Sequence, residues 1–142
     1  MARELSREQV LALVPQQQPF RFIDEILELD RDHIVASHRF APDADFYRGH
    51  FPGNPITPGV ILIECMAQAG VVAFGIYLYA LEHPPEEVEK LLTVFTDANV
   101  EFTGSVKPGD RVFTTARPQF FRRRKLRSTV EMKLENGTVV CS

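Results

Sequence analysis

The feature that most constrains this chain is the run Val60–Ala80 (VILIECMAQAGVVAFGIYLYA), 21 residues that are apolar except at Glu64 and Gln68. About 20 apolar residues suffice to cross a bilayer, so such a run is either a membrane span or the buried centre of a soluble fold. The flanks decide. Phe20–Leu29 and His33–Phe40 precede it as strand-like segments, and Arg111–Phe121 and Leu126–Leu134 follow it. Val94–Thr103 alternates, with Val94, Thr96, Ala98, Val100 and Phe102 on one face and Asp97, Asn99 and Glu101 on the other. A helix from Gly59 to about Leu81, buried on all sides, needs a curved sheet wrapped round it. The fold expected is α+β: five or six antiparallel strands around one apolar helix, in a single domain over residues 1–142. No membrane association is expected.

The rest of the chain reads as packaging. Ser6 to Gln9 forms a capping box for a short helix over Arg7–Leu13, which Pro15 ends. Gln16–Pro19, Asp30-Arg31-Asp32 and Lys107-Pro-Gly-Asp110 are turns, and Glu86–Lys90 is a charged, helical connector. Pro118 breaks or edges its strand, and Asn136-Gly137 marks a hairpin into a last strand, Thr138–Cys141. The chain stops inside that strand, which suggests a shortened sequence. A length of 142 residues with 44% hydrophobic content suits one real core, and a net charge of −3 does not invite nucleic acid. Cys65 and Cys141 form no ligand pattern, so neither a metal site nor a disulfide is expected, and no cofactor motif appears. The charged start MARELSREQV lacks the apolar core of a secretory signal, so a cytoplasmic protein is expected.

Chemistry concentrates in Arg48–Gly70, where a Gly/Pro-rich loop carrying His50 opens into the apolar helix carrying Glu64 and Gln68. A histidine titrates near neutral pH, and desolvation in an apolar helix favours the protonated form of Glu64. A carboxylate is rarely kept in such a helix for stability. Together they make an acid/base pair, and the free amides at the helix start, Gly59 first, can stabilise a developing oxyanion. Gln68, one turn after Glu64, either orients it, bonds to backbone or touches substrate. Cys65 is expected to be a packed core thiol, and His33, His38 and His83 to be solvated.

Gly49-His50-Phe51-Pro52-Gly53, then Pro55, Pro58-Gly59-Val60, Glu64 and Ala67-Gln68, resembles the signature of the 3-hydroxyacyl-(acyl carrier protein) dehydratases of fatty-acid synthesis, which have the hot-dog fold. Pro19-Phe20 with Ile23-Asp24, and Val106–Asp110, extend the likeness over nearly the whole length, and the fourteen-residue step from His50 to Glu64 fits the family. The resemblance implies dehydration of a (3R)-3-hydroxyacyl carrier-protein thioester to the trans-2-enoyl product, with His50 as base and Glu64 as acid. Gly59, Val60, Gln68 and Phe51 would bind substrate and oxyanion. It also implies a cis peptide at His50–Phe51 and a homodimer with composite sites, histidine from one subunit and glutamate from the other. A trimer of such dimers is a further assembly it allows.

Arg122, Arg123, Arg124 and Lys125, with Arg127, form a basic run that suits docking of acidic acyl carrier protein better than nucleic acid. The chain also departs from the family. Val14-Pro15-Gln16-Gln17 replaces a Leu-Pro-His-Arg-type segment, and Arg21 and Phe22 stand where aliphatic residues are common. Glutamate at position 64 resembles the plain dehydratases, whereas Glu101–Val106 leans towards the branch that also isomerises the double bond. The alternatives are another hot-dog acyl-thioester enzyme (a coenzyme-A hydratase, a dehydratase/isomerase or a thioesterase) or a non-catalytic acyl-binding subunit.

Overall fold

A computed structural model describes residues 3–90 and 97–142. Helix α1 (Arg7–Leu13) carries the expected capping box: the Ser6 hydroxyl accepts from the Gln9 amide, and the Gln9 side chain accepts from the Ser6 amide. Strands β1 (Glu25–Leu29), β2 (Ile34–Arg39), β3 (Arg111–Arg122), β4 (Lys125–Leu134) and β5 (Val139–Cys141) make one antiparallel sheet in the order β1-β2-β3-β4-β5. The long connection from β2 to β3 holds the central helix α2 (Gly59–Ala80) and a short helix α3 (Pro85–Val88). Pro118 does not end β3, which continues past it through a register shift between Pro118 and Phe120.

The sheet curves round α2, which is the hot-dog arrangement, so the long apolar run is the core of a soluble fold. The C-terminal part of α2 packs Phe74, Ile76 and Tyr77 against Ile23, Ile26, Ile34 and Ala36. The N-terminal part packs Leu62, Cys65 and Met66 against Phe22, Phe40, Val112 and Met132. Between them, Gln68–Ala73 widens into π-helical turns. Here α2 comes so close to the sheet that a methyl group at Gly70 would lie 2.9 Å from Val130 and 3.0 Å from Ala116. The Ser128 hydroxyl donates to the Gly70 carbonyl at 2.7 Å, serving a group in the widened turn.

Two expected strands differ. Phe20–Leu29 is a strand only from Glu25, because the backbone groups of Phe20 and Phe22 bond to side chains of α2 instead of to a neighbouring strand. In Val94–Thr103, residues 94–96 lie outside the described residues. The remainder makes an isolated bridge, Phe102 with Cys141, rather than a strand. Its alternation predicts one-sided burial, yet Ala98 and Phe102 are exposed within this chain.

The histidines differ as well. His38 is buried, in contact with the rings of Phe22 and Phe40, and its Nδ1 lies 2.9 Å from Asp24. His33 is half-buried between Glu28 and Asp30, and His83 stacks on Tyr79. Each ring lies where an aromatic or carboxylate neighbour draws it out of solvent.

Candidate active site

The loop that carries His50 is tied to itself. A 3-10 turn, Asp45–Arg48, leads into it, and the His50 and Phe51 residues are joined by a cis peptide. The Ile56 amide donates to the His50 carbonyl at 2.9 Å, and His50 Nδ1 lies 2.9 Å from the Ile56 carbonyl. A carbonyl only accepts, so Nδ1 carries the proton there and Nε2 presents its lone pair. The loop then enters α2 through Pro58, which has no N–H, and Thr57, whose amide donates to the Val106 carbonyl at 2.9 Å.

At the start of α2, Ile61 and Leu62 already donate to the Pro58 carbonyl, whereas the Gly59 and Val60 amides meet no acceptor among the described residues. Such amides, at the positive end of a helix, suit an oxyanion. The Phe102 ring lies across this end of the helix: a methyl group at Gly59 would sit 3.0 Å from it, so any larger residue there would have to displace the ring.

Glu64 is half-buried one turn into α2, and its Oε2 accepts from Gln68 Nε2 at 2.8 Å. Gln68 is fully buried and committed within the chain. Its Nε2 also donates to the Phe20 carbonyl at 2.8 Å, and its Oε1 accepts from the Phe22 amide at 2.7 Å. This glutamine thus locks the irregular Phe20–Phe22 segment to the helix and aims Glu64. Cys65 is a packed core thiol, donating to the Phe22 carbonyl at 3.4 Å, and burial pushes its pKa up.

The structure places Gly59, Val60, Glu64 and Gln68 on α2 and His50 and Phe51 in the loop before it. Within one chain no hydrogen bond joins His50 to Glu64. Phe20, Phe51, Val60 and Phe102 are 48%, 52%, 72% and 47% exposed, so apolar surface accompanies the site segments. No cluster of three His, Cys, Asp or Glu side chains suited to a metal occurs among the described residues.

Arg122, Arg123, Arg124 and Lys125 form the exposed tip of the β3–β4 hairpin, away from His50 in sequence. Arg123 and Arg124 have φ of 51° and 61°, the left-handed pair that a two-residue turn demands and that Asn-Gly usually supplies. Asp97 pairs with Lys125 and Arg127, whereas Arg122, Arg123 and Arg124 have no carboxylate partner among the described residues. The sequence does not single out Tyr47 or Thr57, and it marks Phe102 only as one residue of an alternating face. The signal available was two hydroxyl-bearing residues at either side of a loop rich in glycine and proline.

Comparison with known proteins follows the same outline. The profile of a FabA-like domain matches residues 14–140. A 3-hydroxyacyl-[acyl-carrier-protein] dehydratase FabZ of Chloroflexus aggregans is 37% identical over 107 residues, covering 75% of this chain and 69% of that protein. The FabZ of Streptococcus pyogenes is 34% identical over 128 residues, covering 89% and 85%. Among solved structures, a thioesterase of Haemophilus influenzae superposes with a TM-score of 0.66 at 18% identity, covering 98% of this chain and 86% of that one. A dehydratase heterocomplex of Xenorhabdus doucetiae gives 0.55 at 18% identity, covering 84% and 89%. At those identities the structural likeness speaks for the fold alone.

Proposed function

The chain belongs to the FabA/FabZ-like dehydratase family of hot-dog proteins, and on that premise we propose that it dehydrates (3R)-3-hydroxyacyl thioesters of acyl carrier protein to trans-2-enoyl thioesters. The broader reading, an enzyme acting on acyl thioesters, holds whichever reaction it performs. The observation that carries the finer one is the state of His50: Nδ1–H is given to the Ile56 carbonyl, and Nε2 is left to take a proton.

In this reading His50 Nε2 removes the α-proton, and charge collects on the thioester oxygen. The Gly59 and Val60 amides stabilise that oxygen. Glu64, aimed by Gln68, is the acid that delivers a proton to the 3-hydroxyl, which leaves as water. The base and acid meet across a two-fold axis, His50 of one subunit with Glu64 of the other, in a homodimer. Two observations support this: His50 and Glu64 share no bond within a chain, and apolar Phe51 and Val60 stand exposed beside them. Phe51 and Val60 would border the acyl chain. Arg122, Arg123 and Arg124, which have no carboxylate partner among the described residues, would draw in the acidic carrier protein, in a cytoplasmic setting, with Lys125 beside them.

Thioester hydrolysis is the second reading. Glu64 uses only Oε2 towards Gln68, and its other oxygen could activate water. One experiment separates the two. The purified protein is offered a short (3R)-3-hydroxyacyl carrier-protein thioester and its coenzyme-A counterpart, and products are read by mass. Enoyl thioester, lost in His50→Ala and Glu64→Gln, is expected. Free acid and thiol would establish hydrolysis, and no turnover on either substrate would leave an acyl-binding subunit. Charge reversal at Arg123 and Arg124 is expected to raise KM for the carrier-protein substrate alone.

A further inference from the structure

Beneath the His50 loop, the Tyr47 hydroxyl and Thr57 Oγ1 lie 2.6 Å apart. Tyr47 is 5% exposed and Thr57 4%. Tyr47 belongs to an apolar cluster with Phe22, Phe40, Leu62, Val106 and Val112, in which a polar pair is out of place. Stability alone does not call for it. Replacing both partners of a buried hydrogen bond by apolar groups of like shape is nearly neutral, whereas removing one leaves the other unsatisfied.

What the pair adds is direction. Tyr47 lies three residues before His50, and Thr57 lies two before Gly59. The bond therefore spans the stem of the loop whose two ends supply the base and the oxyanion donor. The reciprocal His50–Ile56 bonds lie just inside it, and the Thr57–Val106 bond anchors its far strand to the chain segment leading into β3.

Resting on the dehydratase reading, we infer that Tyr47 and Thr57 are positioning residues, which set His50 relative to the Gly59 end of α2. Neither touches the reacting atoms. Small errors of placement at such a site are costly, of the order of a hundredfold in rate for about 1 Å. Loosening one brace among several should cost less.

The test compares wild type with Tyr47→Phe, Thr57→Val, the double variant and Thr57→Ser, each checked for folding by its thermal midpoint. The double variant, which leaves no orphaned hydroxyl, is expected to melt near wild type, yet to lose about tenfold in kcat with KM within about twofold. Thr57→Ser, which keeps the hydroxyl, is expected to restore kcat. A second readout is independent of turnover: the ring nitrogens of His50 in histidine-labelled protein, identified by their absence in His50→Ala. Wild type is expected to hold one tautomer, protonated at Nδ1, and the double variant to populate both. A double variant with wild-type kcat and a wild-type ring signal overturns the inference. If wild type turns over no thioester, the dehydratase reading fails instead, and the ring signal alone decides whether the pair positions His50.

Discussion

The two ends of α2 treat their polar groups in opposite ways. Where the helix finishes, Tyr77 and neighbouring His33 have theirs taken. The Tyr77 hydroxyl donates to Glu4 at 2.5 Å, and both ring nitrogens of nearby His33 are taken, Nε2 by Glu28 at 2.7 Å and Nδ1 by Asp30 at 3.0 Å. Where the helix begins, each group keeps something in hand. Among the described residues His50 uses one nitrogen, Glu64 one oxygen, and the Gly59 and Val60 amides nothing. The apolar residues follow suit: Phe74 and Ile76 are buried, Phe51 and Val60 exposed. A saturated end stabilises the fold. Unspent hydrogen-bonding capacity beside bare apolar surface is instead what a substrate or second subunit can satisfy.

Substitutions at the two ends should therefore separate activity from stability. At the open end, His50→Ala and Glu64→Gln are each expected to cost about 10²–10⁴ in kcat, with the thermal midpoint little changed. Wild-type turnover in either variant would break the contrast. At the closed end, Phe74→Ala empties a fully buried site and is expected to cost about 3–5 kcal/mol in urea unfolding. The protein that remains folded should keep its kcat.

Gln68 stands between the ends and should show both effects. Gln68→Ala orphans the buried Phe22 amide and the Phe20 carbonyl, at about 1–3 kcal/mol for each group left unpaired. It also frees Glu64 to wander, so kcat should fall too. Gly70→Ala tests packing alone. Its methyl group must push against Val130 and Ala116, and a loss of about 1–3 kcal/mol with unchanged KM is expected.

The contrast explains what sequence could show. The apolar run fixed the central helix to within a residue or so, since only a buried core or a membrane accepts such a segment. The strands that pack against it, β2 to β5, were legible from local signals, such as the alternation in Leu126–Leu134 and the Asn136-Gly137 turn before the last strand. Residues 97–103 of the expected strand Val94–Thr103 were not, because alternation reports a face that expects cover without saying what covers it. His38 was misread because burial of a strand histidine depends on Phe22 and Phe40, which fold brings to it. Arg21, flagged as odd, proves to be a cap: its guanidinium donates to the Leu11, Val14 and Gln16 carbonyls at the end of α1. At the site, Glu64 was conspicuous as a carboxylate among apolar neighbours, and Gln68 by its spacing. The Tyr47–Thr57 contact was not, since it depends on how the loop closes.

The smallest expected effect lies at the saturated end, and its sign is fixed by the charges around His33. The hydrogen bond to Glu28 raises the His33 pKa above its ordinary value near 6.5, against the opposing effect of desolvation, and Asp30 adds to the rise. A histidine raised on folding contributes stability that is complete below the unfolded pKa and is lost as pH climbs through the folded one. His38 works in the other direction. Burial lowers its pKa despite Asp24, so its contribution is present above about 6.5 and is lost as pH falls towards the folded value. Wild type alone would mix the two. The difference in urea midpoint between wild type and His33→Gln isolates the first. It should be greatest below pH 6.5 and shrink as pH rises above that value, reaching its floor beyond the folded pKa. A difference that grows with pH instead would mean that Glu28 and Asp30 do not hold the imidazolium, and that the far end of α2 is no more saturated than the end bearing His50.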